Sequence, residues 1–301
     1  MRISGFSFAR NAEKLYYPVA EAIRSILPIC DEFVITIGKG DEDDRTREQV
    51  ASIGDPRVRI IDTEWTDRDR LRGHVHGQQT NIALRECTGD WCFYIQADEI
   101  VHEHYLETIR ERCRQLQSVT EVEGLLFRYK HFWGDYEHYI VSHAWYPREI
   151  RLIRNRIGVE SWGSAQSFRL NGRKLKVAPV DAEIFHYGWV RPPRLMDRKR
   201  KEFATTHHGA AFVRGTFEPG ESSFDYGSLE RLQRYRDSHP AVLKERIEQC
   251  DWKDRLQYTG RSKVKHKHDR FRYRFVTFVE QKLLGGRQLF GFKNYVLLKN
   301  V

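Results

Sequence analysis

Long apolar runs and paired cysteines are both missing from this 301-residue chain. No stretch approaches the ~18 consecutive apolar residues that a membrane-spanning helix requires. The N-terminus, MRISGFSFARNAEK, has no extended apolar segment before a small-residue cleavage site, so we expect no secretory signal. The five cysteines include no CxxC pair, which disfavours a disulfide framework or a zinc ribbon. Reduced thiols and a cytoplasmic location are therefore expected.

Internal repeats and low-complexity tracts are also missing, and the composition is that of a folded protein. Hydrophobic residues make up 40% of the chain and aromatic residues 13%, which is enough for a substantial core. Lysine and arginine (51) exceed aspartate and glutamate (42), and the formal net charge is +9. Such an excess suits nucleic acid, an anionic membrane surface or phosphorylated substrates as partners.

The first hundred residues alternate strand and helix patterns. Strands are predicted at RISGFSF, EFVITI, VRIID and WCFYI, and helices through residues 10–28 and through GQQTNIALREC. This rhythm predicts a mostly parallel sheet with flanking helices. After a helix near residues 104–117, shorter aromatic-rich strands follow, and beyond about residue 190 a basic helical extension begins.

The stretch GDWCFYIQADEIV combines an apolar strand with two adjacent carboxylates, Asp98 and Glu99, at its end. A second acidic loop, GKGDEDD, follows the strand EFVITI. Since ligands of parallel α/β sheets bind at the carboxyl ends of the strands, both loops are expected to face one crevice. Carboxylates at that edge of a basic protein predict a site for a divalent metal that carries phosphates.

These segments carry a resemblance to a known family. FSFARNAEKLYYPVAEAIRSILPICDEFVI, followed by GQQTNIALRECTGDWCFYIQADEIV, resembles the nucleotide-sugar half of the family 2 glycosyltransferases, which have the GT-A fold. WYPREIRLIRN and IFHYGWVRPP extend the resemblance to about residue 195. It implies an α/β, Rossmann-like GT-A domain over residues 1–190, with a nucleotide-sugar half (1–120) and an acceptor half (121–190). Residues 191–301 are predicted to form a basic helical appendage.

The resemblance implies a divalent metal, manganese or magnesium, that bridges the donor diphosphate and a short Asp-x-Asp motif. Asp98 matches the metal-binding acid, whereas Gln96 stands where the family has its first Asp. His186 is expected as a second ligand from the late strand FHYGWV. The open alternatives are a helix N-cap for Asp98, a first-turn acid for Glu99 and a core residue for His186.

Further donor-binding positions follow from the resemblance. They are Ala9, Arg10, Asn11 and Glu13 after the first strand, Asp41 and Asp43 after the second, Gln79 and Asn81 on the following helix, and Gln96, Ala97, Asp98 and Glu99. Glu13 has the alternative role of capping the helix that follows it. The loop GKGDEDD departs from the family's usual Asp-Gly-Ser-x-Asp.

Inverting members of the family use a carboxylate to take the proton of the acceptor hydroxyl. Asp135 is our first candidate because it follows a strand and lies among aromatic residues that suit stacking on a sugar. Glu149 comes second, with a structural ion pair to a neighbouring arginine as its alternative, and Glu160 is a third candidate.

The resulting hypothesis is inverting sugar transfer from a nucleotide sugar to a carbohydrate or lipid-linked acceptor, plausible in the synthesis of bacterial surface polysaccharide or lipopolysaccharide. The alternative is a non-catalytic nucleotide- or polyanion-binding protein on the same fold. A nucleotidyltransferase is disfavoured because FSFARNAEK lacks a glycine-rich phosphate loop.

The basic segment RSKVKHKHDRFRYR keeps three interpretations open. It suits nucleic acid, which we do not expect here, or a peripheral contact with the inner face of a membrane. The third is a helix packed on the core with its basic face in water.

Overall fold

The computed structural model describes residues 1–65, 74–217, 220, 222–289, 291, 293–299 and 301. The strands are β1 (Ile3–Ala9), β2 (Glu32–Gly38), β3 (Val58–Thr63), β4 (Trp91–Tyr94), β5 (Glu99–Val101), β6 (Gly124–Trp133), β7 (His138–Ile140), β8 (Arg148–Arg154), β9 (Val159–Trp162), β10 (Ser167–Leu170), β11 (Arg173–Trp189), β12 (Gln233–Arg234) and β13 (Tyr295–Leu297). The helices are α1 (Val19–Ile26), α2 (Thr46–Ala51), α3 (His74–Arg85), α4 (Leu106–Gln115), α5 (Pro193–His208), α6 (Ala210–Thr216), α7 (Lys244–Glu248) and α8 (Phe271–Phe278).

One twisted sheet runs through the described chain in the order β3-β2-β1-β4-β8-β6-β11-β10-β9. Strands β1 to β4 pair in parallel, and the apolar runs of β2 and β4 are buried because helices cover both faces of the sheet. Beyond β4 the pairing is mixed. The expected α/β fold class is confirmed.

The sheet brings distant segments together at the carboxyl end of β4. The short strand β5 pairs antiparallel with β11, so that Glu99 lies opposite His186. The amide of Tyr187 also donates a hydrogen bond of 2.8 Å to the carbonyl of Asp98. Strand β6 runs parallel to β11 with His131 opposite His186. The register therefore brings Glu99, His131 and His186 together at one point of the sheet edge.

The first predicted helix is shorter than the sequence pattern indicates. It begins at Val19 rather than near residue 10, because Pro18 lacks an amide proton and restricts the residue before it. Asn11 and Tyr16 adopt left-handed conformations in the turns that replace the first half of the helix. Glu13 consequently does not cap this helix.

Residues 191–301 do not consist of helices alone. Two short strands, β12 and β13, pair with β7 and β11 of the main sheet. Side chains of this segment, including Phe224, Leu243 and Trp252, belong to the main hydrophobic core. Among the described helices, none combines the length and apolar character that a membrane crossing requires.

Candidate functional site

Asp98 and His186 form the centre of the site at the carboxyl end of β4. The Oδ2 atom of Asp98 lies 3.8 Å from Nε2 of His186. Both side chains are largely buried. A Cβ atom on Gly188 would lie 2.5 Å from Nε2 of His186 and 2.7 Å from Oδ2 of Asp98. The glycine thus keeps open the space beside the two ligand-type atoms.

The hydrogen bonds of His131 define which nitrogen of His186 is free. Nε2 of His131 lies 2.8 Å from the carbonyl oxygen of Tyr146, which can only accept, so this nitrogen carries the proton. Burial, and then His186, lowers the pKa of His131 to about 3, so the ring is neutral and its Nδ1 is an acceptor. Nδ1 of His186, 2.9 Å away, must then donate to it.

The same reasoning leaves Nε2 of His186 as an unprotonated lone pair directed toward Asp98. Burial lowers the pKa of His186 to about 4, although Asp98 acts in the opposite direction, and the imidazole is neutral at pH 7. A carboxylate oxygen and an imidazole lone pair are both acceptors and do not bond to each other. Their convergence favours a cation beside them.

Lys199 of α5 supplies one such cation. Its Nζ lies 3.2 Å from Oδ2 of Asp98 and donates a 2.7 Å bond to the carbonyl of Gly188. Burial, and then Arg191, lowers the pKa of Lys199 to about 7. Burial raises the pKa of Asp98, but Lys199, His186 and Arg191 together outweigh it and hold this pKa at about 2.

Arg191 is a fully buried cation with unmet hydrogen-bonding capacity. Its guanidinium lies 4.4 Å from the ring centre of Tyr17, and Lys199 lies 4.8 Å from the same ring. One nitrogen donates to the carbonyl of Leu15, whereas Nε and Nη2 have no hydrogen-bond partner among the described residues. Buried unpaired donors are costly, so these N–H groups mark a place for an anion.

Helix α5 lies over the site and separates two clefts. On one side is a polar cleft of about 540 Å³, lined by Asn11, Lys14, Asp41 and Asp43 together with Arg198 and Glu202 of α5. On the other is an aromatic cleft of about 790 Å³, whose walls include Trp133, Trp145, Trp189 and Phe224, with Asp197 and Arg200 of α5. Lys199, between these faces of the helix, reaches Asp98.

The loop after β1 lies at the polar cleft. Arg10 and Asn11 both bond to Oε1 of Glu202, at 2.6 and 3.1 Å. Asn11 also accepts a bond from the amide of Asp41. Ala9 is buried at the end of β1, and Glu13 is exposed beside the cleft.

Asp41 and Asp43 lie on the rim of the polar cleft. Lys14 bonds both carboxylates, at 2.8 and 2.5 Å. Its hydrogen bonds lower the pKa of each, and the carboxylates are exposed. They are therefore available to a ligand that displaces Lys14.

Glu99 turns away from Asp98 into the core, because consecutive side chains at a strand point to opposite faces. Its two oxygens accept bonds of 2.7 Å each from Arg151, and Tyr129 donates a further bond of 2.8 Å. Both charges of this pair are fully buried. Two roles were predicted for Glu99: a contact with the donor, or a solvated acid in the first turn of a helix. Its burial and its pairing with Arg151 contradict both.

Of the neighbouring polar positions, Gln79, Asn81 and Gln96 have intramolecular partners. Thr63 donates to Gln79, and Gln96 donates to the carbonyl of Ala165. Asn81 accepts from the amide of Ser161 on β9 and lies in a separate cleft at the opposite end of the parallel strands. Ala97, half-buried, packs against the core beside Asp98.

The two carboxylates predicted as the base are occupied by structural contacts. Asp135 is fully buried and accepts bonds from His138 and Tyr258 and from backbone amides. Glu149 is buried and accepts from Ser167 and Asn294, and it forms no ion pair with an arginine of the described residues. An acceptor hydroxyl arriving from solvent has no access to either carboxylate in this arrangement. Glu160 lies on β9, the last strand in the order of the sheet, and lines the same separate cleft as Asn81.

A divalent metal fits the atoms that face one another here. No group of three or more histidine, cysteine or acidic side chains suited to a metal occurs within the described residues. Magnesium-type ions in nucleotide sites, however, use only one or two protein ligands and complete their shell with phosphate and water. Asp98 and the Nε2 lone pair of His186 would provide these two ligands, with Gly188 leaving the space.

The sequence analysis did not predict four residues of this site: Lys199, Arg191, Gly188 and His131. The available signal was the basic run RPPRLMDRKRK, which directly follows the strand that carries His186. Its position indicates that positive charge returns to the sheet edge where Asp98 ends its strand.

Comparison with known proteins gives no family assignment: no protein-family model and no curated protein matches the chain. Among solved structures, S. aureus TarS is similar over 68% of this chain and 39% of its own, with 14% identity and a TM-score of 0.39. TarS 1–349 in complex with UDP-GlcNAc is similar over 44% of this chain and 35% of its own (18% identity, TM-score 0.31).

A third similar structure is glucosyl-3-phosphoglycerate synthase from Mycobacterium tuberculosis, in complex with Mn²⁺, UDP and phosphoglyceric acid. The similarity covers 42% of this chain and 43% of that chain, with 18% identity and a TM-score of 0.30. The chain thus spans less than half the length of these three structures. TM-scores this low assign no activity, and a functional assignment has to rest on the geometry of the site.

Proposed function

We propose that the protein transfers a sugar from a nucleotide-sugar donor to an acceptor hydroxyl, with a divalent metal, manganese or magnesium, at Asp98 and His186. The observation that carries the proposal is the convergence of two acceptor atoms, 3.8 Å apart, beside two buried cations. The two acceptor atoms favour a cation and the two buried cations favour an anion. A metal ion together with a diphosphate therefore suits the site better than a metal ion or a diphosphate alone. When bound, the metal would supply Lewis-acid stabilisation of the leaving diphosphate.

Arg191 and Lys199 supply the complementary positive charge for the diphosphate. Nε and Nη2 of Arg191 are buried donors that find no partner in the part of the chain that the structure describes, and phosphate oxygens would satisfy them. Lys199 already neutralises Asp98, and a bound metal would free its ammonium to bond a phosphate oxygen instead. Charges held in place in a water-poor site stabilise a developing oxyanion with little reorganisation.

The polar cleft on one side of α5 is assigned to the nucleoside. Asn11, Arg10 and Asp41 lie there at the carboxyl ends of β1 and β2, as a nucleotide-binding crevice of a parallel sheet requires. Inverting displacement and a role in synthesis of a bacterial surface polysaccharide or lipopolysaccharide complete the proposal and rest on the family resemblance.

The test is nucleotide binding to the full chain, measured by thermal shift and calorimetry with UDP, GDP, dTDP and CDP, each with and without MnCl₂. We expect one nucleotide to stabilise the protein in a manganese-dependent way, by about 2.7 kcal/mol when its concentration is a hundred times Kd. Equal stabilisation by inorganic pyrophosphate would show that the nucleoside is not recognised. If none of the four binds with or without manganese, the proposal is wrong.

The alternative of a non-catalytic nucleotide-binding protein makes the same binding prediction and differs in turnover. Nucleotide sugars that carry the base selected by calorimetry distinguish the enzyme from the binding protein. Release of the nucleoside diphosphate, by transfer or by slow hydrolysis, identifies an enzyme. Tight binding of a nucleotide sugar that stays intact with every acceptor identifies a binding protein.

A further inference from the structure

The aromatic cleft borders the Asp98–His186 centre through two of its tryptophans. The ring of Trp145 lies 4.9 Å from that of His131, which bonds His186. Trp189 follows Gly188 directly and stacks on Trp133 at 4.6 Å. Trp145 and Trp189 are only half-buried, so part of each ring is open to the cleft. The cleft therefore lies next to the residues proposed to hold the metal and the diphosphate.

From this we propose that the aromatic cleft is the acceptor subsite, that its ligand is a glycoside, and that Asp225 takes the proton of the attacking hydroxyl. The assignment rests on the proposed function. Aromatic surfaces suit the C–H faces of a sugar ring, and a few charged groups, here Arg200 and Asp225, suit its hydroxyls. Arg200 is held over Phe224 with its guanidinium 5.0 Å from the ring centre.

Asp225 is selected among the carboxylates of this cleft. Only Asp197 and Asp225 line it among the described residues. Asp197 is buried and engaged by Ser222 at 2.5 Å and Lys201 at 3.0 Å. Asp225 is exposed, and one of its oxygens accepts a bond from the amide of Gly227. Its other oxygen accepts no hydrogen bond from the residues that the structure describes, which leaves it for an incoming hydroxyl.

The step balances without a further reactant. The acceptor oxygen forms a bond to the anomeric carbon while its proton passes to the Asp225 carboxylate. The bond between the anomeric carbon and the phosphate oxygen breaks, and its electron pair leaves with the nucleoside diphosphate. Asp225 then returns the proton to water.

Binding of the acceptor is tested by saturation-transfer NMR with methyl glycosides of glucose, galactose, mannose and N-acetylglucosamine. The full chain is used, with manganese and the nucleoside diphosphate that binds. We expect at least one glycoside to bind, and binding to be lost in Trp145→Ala or Trp189→Ala. Trp162→Ala is the matched control, since Trp162 is an exposed tryptophan on β9 that does not line this cleft. If nucleotide binds and no glycoside does, the cleft assignment fails while the proposed function stands; if neither binds, both fail.

The role of Asp225 is tested by Asp225→Asn on the glycoside that binds. Loss of a general base is expected to lower kcat by about 10²- to 10⁴-fold. The Kd for nucleotide should stay near that of the wild type, and the glycoside should still bind, since asparagine is isosteric with aspartate and also hydrogen-bonds a sugar hydroxyl. A kcat close to the wild-type value overturns the assignment, and so does a change confined to KM.

Helix α8 carries a second, independent feature: a stripe of exposed phenylalanines. Phe271, Phe275 and Phe278 are 80%, 58% and 56% exposed. Their spacing places them on one face of the helix. The opposite face is anchored to the body of the protein, where Thr277 accepts a bond from the amide of His143 and Glu280 bonds its ring. Exposed Leu283 extends the apolar surface.

Basic side chains surround this stripe. Arg270, Arg272 and Arg274 of the helix region are exposed, as are Lys263, Lys265, Lys267 and Lys282 nearby. The packed-helix interpretation of this segment requires the apolar face to be covered, and it is open. We infer that α8 is a membrane-contact surface that inserts its phenylalanines at the interface of an anionic lipid leaflet. A second copy of the same chain would place these positive charges against one another.

Vesicle sedimentation tests the inference with phosphatidylglycerol-containing and pure phosphatidylcholine vesicles. The wild type should bind the anionic vesicles, less at high salt, and the Phe271→Ser/Phe275→Ser/Phe278→Ser variant should bind at least about 100-fold more weakly. Phe203→Ser/Phe212→Ser is the matched control, because these exposed phenylalanines lie on α5 and α6. No anionic binding, equal binding by the triple variant, or a wild-type dimer that the triple variant abolishes overturns the inference.

Discussion

Replacing Asp98 with asparagine is expected to abolish manganese-dependent nucleotide binding and to lower sugar transfer by about 10³-fold, equivalent to a loss of about 4 kcal/mol of transition-state stabilisation. The substitution keeps the size of the side chain and removes its negative charge. That charge faces Nε2 of His186 and the ammonium of Lys199. An amide next to one imidazole is a poor site for a divalent metal.

The matched control for this substitution is Asp197→Asn. Asp197, like Asp98, is buried and pairs with a lysine of helix α5, but its partners are Lys201 and Ser222. Calorimetric titration of manganese with nucleotide should give a Kd near that of the wild type for Asp197→Asn and no measurable binding for Asp98→Asn. Thermal unfolding of both variants without ligand shows whether a loss of binding reflects loss of structure.

Two results would contradict the assignment of Asp98. The first is retention of metal-dependent binding by Asp98→Asn. The second is equal loss of binding in both variants, which would indicate that any buried charge change under α5 disturbs the site. Nucleotide binding that persists in Asp98→Asn but never depends on manganese would instead assign the charge neutralisation to Lys199 and Arg191 alone.

The convergence of Asp98 and His186 was predictable in part from the sequence. An apolar strand that ends in an acid signals the carboxyl edge of a sheet, and the family resemblance supplied His186. Their actual contact depends on the pairing of β5 with β11, which joins segments that are far apart along the chain. Such pairing is determined by the tertiary structure, so no local pattern around residue 98 or residue 186 encodes it.

Glu99 and Asp135 show why the remaining site predictions did not follow. A strand pattern assigns alternate faces, but it does not say whether the inward face holds a partner that keeps a carboxylate charged. Arg151 is that partner for Glu99, and it comes from β8. For Asp135, surrounding aromatics suggested a sugar site, whereas His138 and Tyr258 bind the carboxylate instead. A partner from a distant segment decided the case of Glu99, whereas Asp135 is held both by the nearby His138 and by the distant Tyr258.

The position of helix α5 over the site could not be predicted from the sequence, for a similar reason. A basic, amphipathic stretch after the last long strand predicts a helix, and α5 is one. Whether such a helix packs on the sheet edge or extends into solvent depends on contacts that its own residues do not specify. Here Lys199 contacts Asp98, and Glu202 contacts Arg10 and Asn11.

The Glu99–Arg151 pair is expected to be a major determinant of stability, since it holds the end of β4 in place beneath Asp98. Arg151→Met should lower the free energy of unfolding by about 3–5 kcal/mol, because it leaves the carboxylate of Glu99 buried with no countercharge. Arg47→Met is the control: Arg47 makes a comparable bond of 2.9 Å to Asp62, but both side chains are exposed. Its effect should stay within about 1 kcal/mol.

Urea unfolding of the three proteins, followed by tryptophan fluorescence, provides the measurement. The Glu99→Gln substitution added to Arg151→Met should recover part of the lost stability, because a neutral amide is cheaper to bury than a carboxylate. Such recovery would show that the loss of stability comes from the uncompensated charge of Glu99. If the loss came from packing alone, the second substitution would leave the free energy of unfolding unchanged or lower it further. An effect of Arg151→Met no larger than that of Arg47→Met would mean that Glu99 gains access to water or takes up a proton when its partner is removed. The carboxyl end of β4 would then be less rigid than the geometry of the Asp98–His186 site requires.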